Sequence, residues 1–289
     1  MQKILVLGAT GMIGSAIFRT LSVDNHFHVF GSIRSTALKS HFSVKQQKHL
    51  VICGNILDDD QLIRLFASVR PNILINCIGL TKHHLEAGDP LLSIPLNSLL
   101  PHRLADICSI SGARLIHIST DCVFSGLSGG YREGDVSDAL DIYGKSKFLG
   151  EVVDRSHAVT LRTSTIGHEL QGKYGLLEWF LSQKKSCLGY SRAIFSGLPS
   201  TVFAEVIRDY VLPRTDLHGL YHVGASPIGK YDLLKLIAAK YSVQINISRD
   251  ESFSIDRSLN VDRFRSETGY FAPSWPELID SMNLSREVF

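Results

Sequence analysis

Tyr143-Gly-Lys-Ser-Lys147 sets a phenol and an ammonium four residues apart, which on a helix is one face. An ammonium beside a phenol lowers its pKa and makes it a usable proton donor or acceptor, so the pair reads as general acid–base chemistry. The spacing alone is unspecific, because Tyr231-Asp-Leu-Leu-Lys235 repeats it. Only the first pair lies just beyond a strand ending in a polar cluster, Ser119-Thr120-Asp121-Cys122. Tyr231 and Lys235 are therefore expected to be structural. Cys122 has no assigned base beside it and reads as pocket wall rather than nucleophile.

A second group of residues reads as a phosphate cradle. Gly8-Ala-Thr10-Gly11-Met12-Ile13-Gly14 follows the apolar run Ile4-Leu5-Val6-Leu7, a strand passing through a glycine turn into a helix. Gly8 permits the turn, Gly11 lets backbone approach a pyrophosphate and Gly14 lets the helix pack on the sheet, with the phosphates at the helix N-terminus. A dinucleotide is the expected ligand. An acidic residue about 20 positions further on reads the ribose 2′-hydroxyl of NAD, whereas Arg accommodates a 2′-phosphate. Here the second strand ends Ser32-Ile33-Arg34-Ser35 with no carboxylate, which favours NADP(H) and leaves NAD(H) as the alternative. Asn55-Ile56 after the third strand and Cys77-Ile78-Gly79 after the fourth are candidate cofactor contacts, with ordinary turn chemistry as their competing reading.

These residues need a scaffold of alternating elements. Strands are predicted at 3–7, 26–33, 50–53, 73–77, 115–118 and 159–161, and helices at 12–21, 59–69, 96–111 and 142–153. That rhythm predicts an α/β fold: a Rossmann-type doubly wound parallel sheet. Beyond about Thr163 the pattern loosens, giving a division into a dinucleotide-binding domain (1–163) and a smaller C-terminal substrate-binding lobe (164–289), with a helix at 201–211 returning to the first domain.

Composition narrows the partners. A net charge of +2 with 20% charged residues contains no basic block, which argues against nucleic acid and an anionic membrane surface. No apolar run reaches 18 residues and no leader pattern is evident, so the expectation is a cytoplasmic protein. Five scattered cysteines without C-x-x-C pairs read as free thiols. His83-His84 has no Glu or Cys partner, so no metal site is assigned. Asp58-Asp59-Asp60 reads as a helix N-terminus.

The glycine turn, Ser119-Thr120 and Tyr143/Lys147, in that order, resemble the short-chain dehydrogenase/reductase superfamily in its extended, nucleotide-sugar-modifying branch. Ser119-Thr-Asp-Cys-Val-Phe-Ser-Gly126, Tyr131-x-Glu133-x-Asp135 and Tyr143-Gly-x-Ser-Lys147-x-x-Gly-Glu151 are similar to the dTDP-4-dehydrorhamnose reductase family. Asn97, Leu161-Arg-Thr-Ser164, Pro199-Ser-Thr201, Gly219-x-Tyr-His222 and the 269–275 segment extend the match over nearly the whole chain.

The resemblance implies NADPH-dependent reduction of the 4-keto group of a nucleotide-linked 4-keto-6-deoxysugar, in deoxysugar or polysaccharide biosynthesis. By it, Tyr143 protonates the alkoxide, Lys147 tunes the phenol and binds the nicotinamide ribose, Thr120 orients the carbonyl, and Asn97 supports the catalytic helix or a relay water. It points to Thr81, Lys82, His83, Asp121, Cys122, Thr165, Trp179 and Arg257 for substrate contacts, and leaves room for a homodimer. Two positions depart: the family usually carries Tyr at the place of Cys122 and a bulky residue at that of Thr165. Two other readings stand beside it. One is an epimerase or dehydratase that retains NAD, against which Arg34 argues. The other is a non-catalytic, cofactor-binding regulatory subunit, as one relative in this family is for methionine adenosyltransferase, against which the intact Thr120, Tyr143 and Lys147 argue.

Overall fold

Successive residues of the opening strand face opposite sides: Ile4 and Val6 enter one buried apolar cluster, Leu5 and Leu7 another. A strand apolar on both faces must be covered on both, which is what the alternating helices do. The computed structural model describes residues 1–81 and 85–288. Its strands are β1 (Gln2–Leu7), β2 (Phe27–Ile33), β3 (Leu50–Ile52), β4 (Ile73–Asn76), β5 (Arg114–Thr120), β6 (Ala158–Thr163), β7 (Thr165–Ile166), β8 (Ser186–Phe195), β9 (Leu198–Pro199), β10 (Gly219–His222), β11 (Ile228–Gly229) and β12 (Asn246–Asp256).

Seven strands form one sheet in the order β10-β6-β5-β4-β1-β2-β3, every neighbouring pair parallel. The doubly wound Rossmann-type sheet expected from the apolar rhythm is present. From β1 the chain builds outwards to β2 and β3, then returns to β4 on the other side. This reversal between β1 and β4 opens a crevice at the C-terminal strand ends, where such sheets take ligands.

The helices depart from the pattern in two places. The single helix predicted at 96–111 is a short helix Pro90–Ser93, a π-helical turn Ile94–Leu99 and the helix Leu100–Ser111. Pro95 and Pro101 lack amide hydrogens, which loosens the regular hydrogen-bond ladder there. The helix predicted to reach Val153 is Ile142–Leu149, closed by Gly150.

Residues after Thr163 serve both halves of the molecule. β10 is an outer strand of the first sheet, beside β6. The helix Ser200–Val206 lies against the helix Met12–Ser22 in a cluster that includes Phe18 and Phe203. A separate small sheet, β11-β8-β12, carries the helix Lys230–Lys240. Tyr231 packs over Gly189 of β8, where an added Cβ would come within 2.8 Å of the ring, so this second tyrosine–lysine pair is part of the lobe's packing.

Candidate active site

The glycine turn is built by steric necessity. Gly8 has φ +75°, a conformation that disfavours side chains. At Gly14 a Cβ would lie 2.1 Å from the Gly8 carbonyl oxygen, so only glycine lets the helix Met12–Ser22 sit so close to β1. Gly11 is the N-cap; a Cβ there would meet only Gly8 O, at 3.5 Å, and otherwise project into the groove. The helix has no side-chain cap and no acidic residue in its first turn. Its first amides, at Met12 and Ile13, are therefore left without a side-chain cap at the positive end of the helix dipole, a fit for a pyrophosphate. Thr10 completes the turn. Ile78 and Cys77 form the opposite wall against Gly8.

At the end of β2, Arg34 and Ser35 are exposed, and Arg34 makes no hydrogen bond or ion pair with another described residue. Ser32 is buried, and its hydroxyl accepts from Gly8 N at 3.2 Å, a structural use of the side chain. The side-chain oxygen of Asn55 accepts from Leu57 N at 3.0 Å in a local turn, the turn chemistry weighed against a cofactor contact. Ile56 is half-buried and packs against the second apolar cluster. Asp58 caps the helix Asp59–Val69, as its sequence setting implies.

Thr120, Tyr143, Lys147, Asn97 and Gly79 converge at the C-terminal ends of β5 and β4. Thr120 ends β5, is 8% exposed and stands beside the Tyr143 phenol, whose pKa its hydroxyl lowers. Burial pushes that phenol well above its ordinary pKa, Cys122 adds to the rise, and the Thr120 hydroxyl opposes it. The buried Lys147 ammonium donates to Ile118 O at 2.8 Å. Burial brings Lys147 itself down to about 8, opposed by Glu151 and then Cys77. The Cys77 thiol is pushed up to about 12 by the same burial, so it is not a thiolate.

Asn97, wholly buried in the π turn, ties the site together. Its side chain accepts from Leu80 N at 2.9 Å, and donates to Leu80 O at 3.2 Å and Ser146 Oγ at 3.1 Å. It thus pins the loop after β4 to the helix of Tyr143. Gly79 leaves the space: a Cβ would stand 3.0 Å from Asn97 Oδ1 and 3.8 Å from Lys147 Nζ.

The substrate candidates divide. Arg257 reaches the site, its Nε donating to Phe124 O at 2.7 Å and its Nη1 3.7 Å from Cys122 Sγ. Cys122 is buried and Asp121 half-buried behind Thr120, whose hydroxyl lies 3.1 Å from the Asp121 carboxylate. Thr165 touches Met12 Sδ at 3.9 Å, on the far wall of the glycine turn. Trp179, 37% exposed on the helix Leu176–Leu181, makes no described contact with these residues. Thr81 is exposed. Lys82 and His83 lie outside the described residues. No group of three or more His, Cys, Asp or Glu placed to hold a metal occurs among the described residues.

Missing from the sequence-based set is the buried pair Glu151–Arg162, joined by two 2.7 Å hydrogen bonds and extended to Ser119 and His222. Its one sequence signal is the position of Glu151, just past Gly150 at the end of the helix that carries Tyr143 and Lys147.

The RmlD substrate binding domain family model matches residues 1–186. Among curated proteins, the chain is 32% identical to methionine adenosyltransferase 2 subunit beta of Xenopus laevis over 150 residues, 52% of this chain but only 42% of that protein. It is 26% identical to dTDP-4-dehydrorhamnose reductase of Aggregatibacter actinomycetemcomitans over 242 residues, covering 80% of this chain and 76% of the reductase. The solved dTDP-4-dehydrorhamnose reductase of Bacillus anthracis, in complex with NADP, superposes with a TM-score of 0.80 at 21% identity, over 99% of this chain and all of that one, a likeness of fold. With the glycine turn, the Thr120–Tyr143–Lys147 group and the seven-stranded parallel sheet, the match assigns this chain to the RmlD substrate binding domain family, on an extended short-chain dehydrogenase/reductase fold.

Proposed function

We propose that the chain is an NADPH-dependent reductase of a nucleotide-linked sugar, acting on the 4-keto group of a 4-keto-6-deoxysugar. The observation that carries this reading is the convergence of Thr120, Tyr143, Lys147 and Asn97 at the strand ends, across the crevice from the uncapped helix at Met12. A bound nicotinamide dinucleotide supplies the hydride. The residues of the chain do the rest. Met12 and Ile13 amides take the pyrophosphate, and Arg34 takes the 2′-phosphate. Thr120 orients the keto oxygen. Tyr143, held protonated by its burial, gives its proton to that oxygen as negative charge develops there. Lys147 lies where its charge favours the phenolate left behind, and Asn97 keeps helix and loop at fixed separation. Arg257 and Cys122 line the sugar side, so the departure at Cys122 bears on which sugar is accepted. Support comes from the reductase relative and from the intact Thr120, Tyr143 and Lys147.

The test is NADPH oxidation by the purified chain with dTDP-, UDP-, GDP- and CDP-linked 4-keto-6-deoxysugars, with NADH in parallel. Turnover with one of them and a preference for NADPH is the expected result; none with any of them removes the reading. A second reading, a regulatory subunit, is favoured by the identity to methionine adenosyltransferase 2 subunit beta. Under it, Tyr143→Phe leaves the effect on a partner enzyme intact, whereas the reductase loses turnover.

A further inference from the structure

Between β7 and the helix Leu176–Leu181 the chain makes a loop, residues 167–175, that the acid–base chemistry does not use. Its root is fixed in the C-terminal half: the buried His168 is held through Nδ1 by the Glu178 carboxylate at 2.8 Å and through Nε2 by the Tyr241 hydroxyl at 3.0 Å. The loop is also folded on itself. Glu169 Oε2 accepts from Tyr174 N at 2.9 Å and from Gly175 N at 3.2 Å. Gly172, at φ +90°, lies against the Tyr174 ring, where a Cβ would come within 2.7 Å. Compact loops of this length, closed by their own side chains, are frequently functional.

Both ends of the loop meet the residue that opens the phosphate cradle. Thr165 Oγ1, just before it, lies 3.9 Å from Met12 Sδ, and a Cβ on Gly175 would stand 2.9 Å from Met12 Cε. The exposed tip reaches elsewhere: the Gln171 amide donates to His41 Nε2 at 3.0 Å. His41 ends the short 3-10 helix Thr36–His41, which follows Arg34 and Ser35. It is a fixed post, because Arg19 Nη2 donates to its carbonyl at 2.6 Å and the next residue, Phe42, packs edge-on against Phe18. The loop thus runs from the pyrophosphate cradle to the segment behind Arg34, rooted in one half of the molecule and tied to the other at its tip by a solvent-exposed hydrogen bond. Such a bond opens without disturbing either half, since His168 and Glu169 keep the root and the fold of the loop. We propose that residues 167–175 are a strap along the dinucleotide groove, latched by Gln171 on His41, and that the dinucleotide enters and leaves when the latch opens. The inference rests on the reading of the groove as a dinucleotide site and is independent of which sugar is reduced.

The experiment is stopped-flow fluorescence of NADPH binding to the full chain, with release followed by chasing bound NADPH with excess NADP⁺, in Gln171→Ala, His41→Ala and the double variant. A latch that gates the groove slows entry and release alike. Each single variant is therefore expected to raise both rate constants about three- to tenfold with Kd little changed, and the double variant to do no more than either alone. A purely structural role would lower the melting temperature and leave both rates in place, which overturns the proposal. Faster release with unaltered entry overturns it too, since that would mark Gln171 or His41 as a direct contact of the dinucleotide. Should the unmodified chain bind neither NADPH nor NADH, the dinucleotide reading falls and the strap with it, a result distinct from binding at unaltered rates.

Discussion

Tyr143 shows how environment decides which half of an acid–base pair a side chain plays. Burial holds the phenol protonated through the neutral range, which suits donation to an alkoxide. Tyr143→Phe is therefore expected to lower kcat by about 10²–10⁴-fold while leaving dinucleotide affinity, measured by fluorescence titration, nearly unchanged. Lys147 adds a pH dependence. Its ammonium, brought down to about 8, loses its proton as pH rises through that value, so turnover is expected to fall on the alkaline side of about 8. A kcat profile flat from pH 7 to 10 would contradict this. Arg34, exposed beside the end of β2, is expected to distinguish the two dinucleotides: Arg34→Ala weakens NADPH by about 10- to 100-fold, with little change for NADH. Equal losses would show that Arg34 reads nothing at the 2′ position. These residues were legible because their spacing is local. Asn55 was ambiguous, since a turn within its own loop uses the same side-chain oxygen.

At the scale of elements, the strand followed by a glycine turn and a helix was readable because the constraint is steric and confined to seven residues. Gly14→Ala would force the helix Met12–Ser22 off the Gly8 carbonyl. The expected cost is about 1–3 kcal/mol by denaturant unfolding, with dinucleotide affinity falling as the N-terminal amides shift. The helix around Asn97 was harder, because the apolar period predicts a continuous helix whereas Pro95, Pro101 and the π turn divide it. That division places Asn97 between Leu80 and Ser146, a contact no local pattern encodes. β12 was missed for another reason: Asn246–Asp256 is polar and mostly exposed, so it lacks the apolar alternation by which strands are read, and its pairing with β8 joins residues about sixty apart in the chain.

Over the whole molecule, two histidines buried in neutral form couple stability to pH. His222 is brought down to about 3 and His117 well below 6.5, both chiefly by burial. The unfolded chain takes up these protons near pH 6.5 while the folded chain does not until far lower, so stability falls as pH drops through that window, by up to about 1.4 kcal/mol per histidine per pH unit. Urea unfolding between pH 7 and 5 is expected to show the slope, and His222→Gln to reduce it. The long-range partners of such residues, like the Glu151–Arg162 pair, come from strands far apart in sequence, which is why spacing alone did not disclose them. β10 carries a further consequence. β6 ends at Thr163, but the strand that covers its open edge begins only at Gly219. A growing chain therefore leaves the ribosome with six strands in place and a bare, adhesive border, and the first half cannot be sealed until the second has been translated.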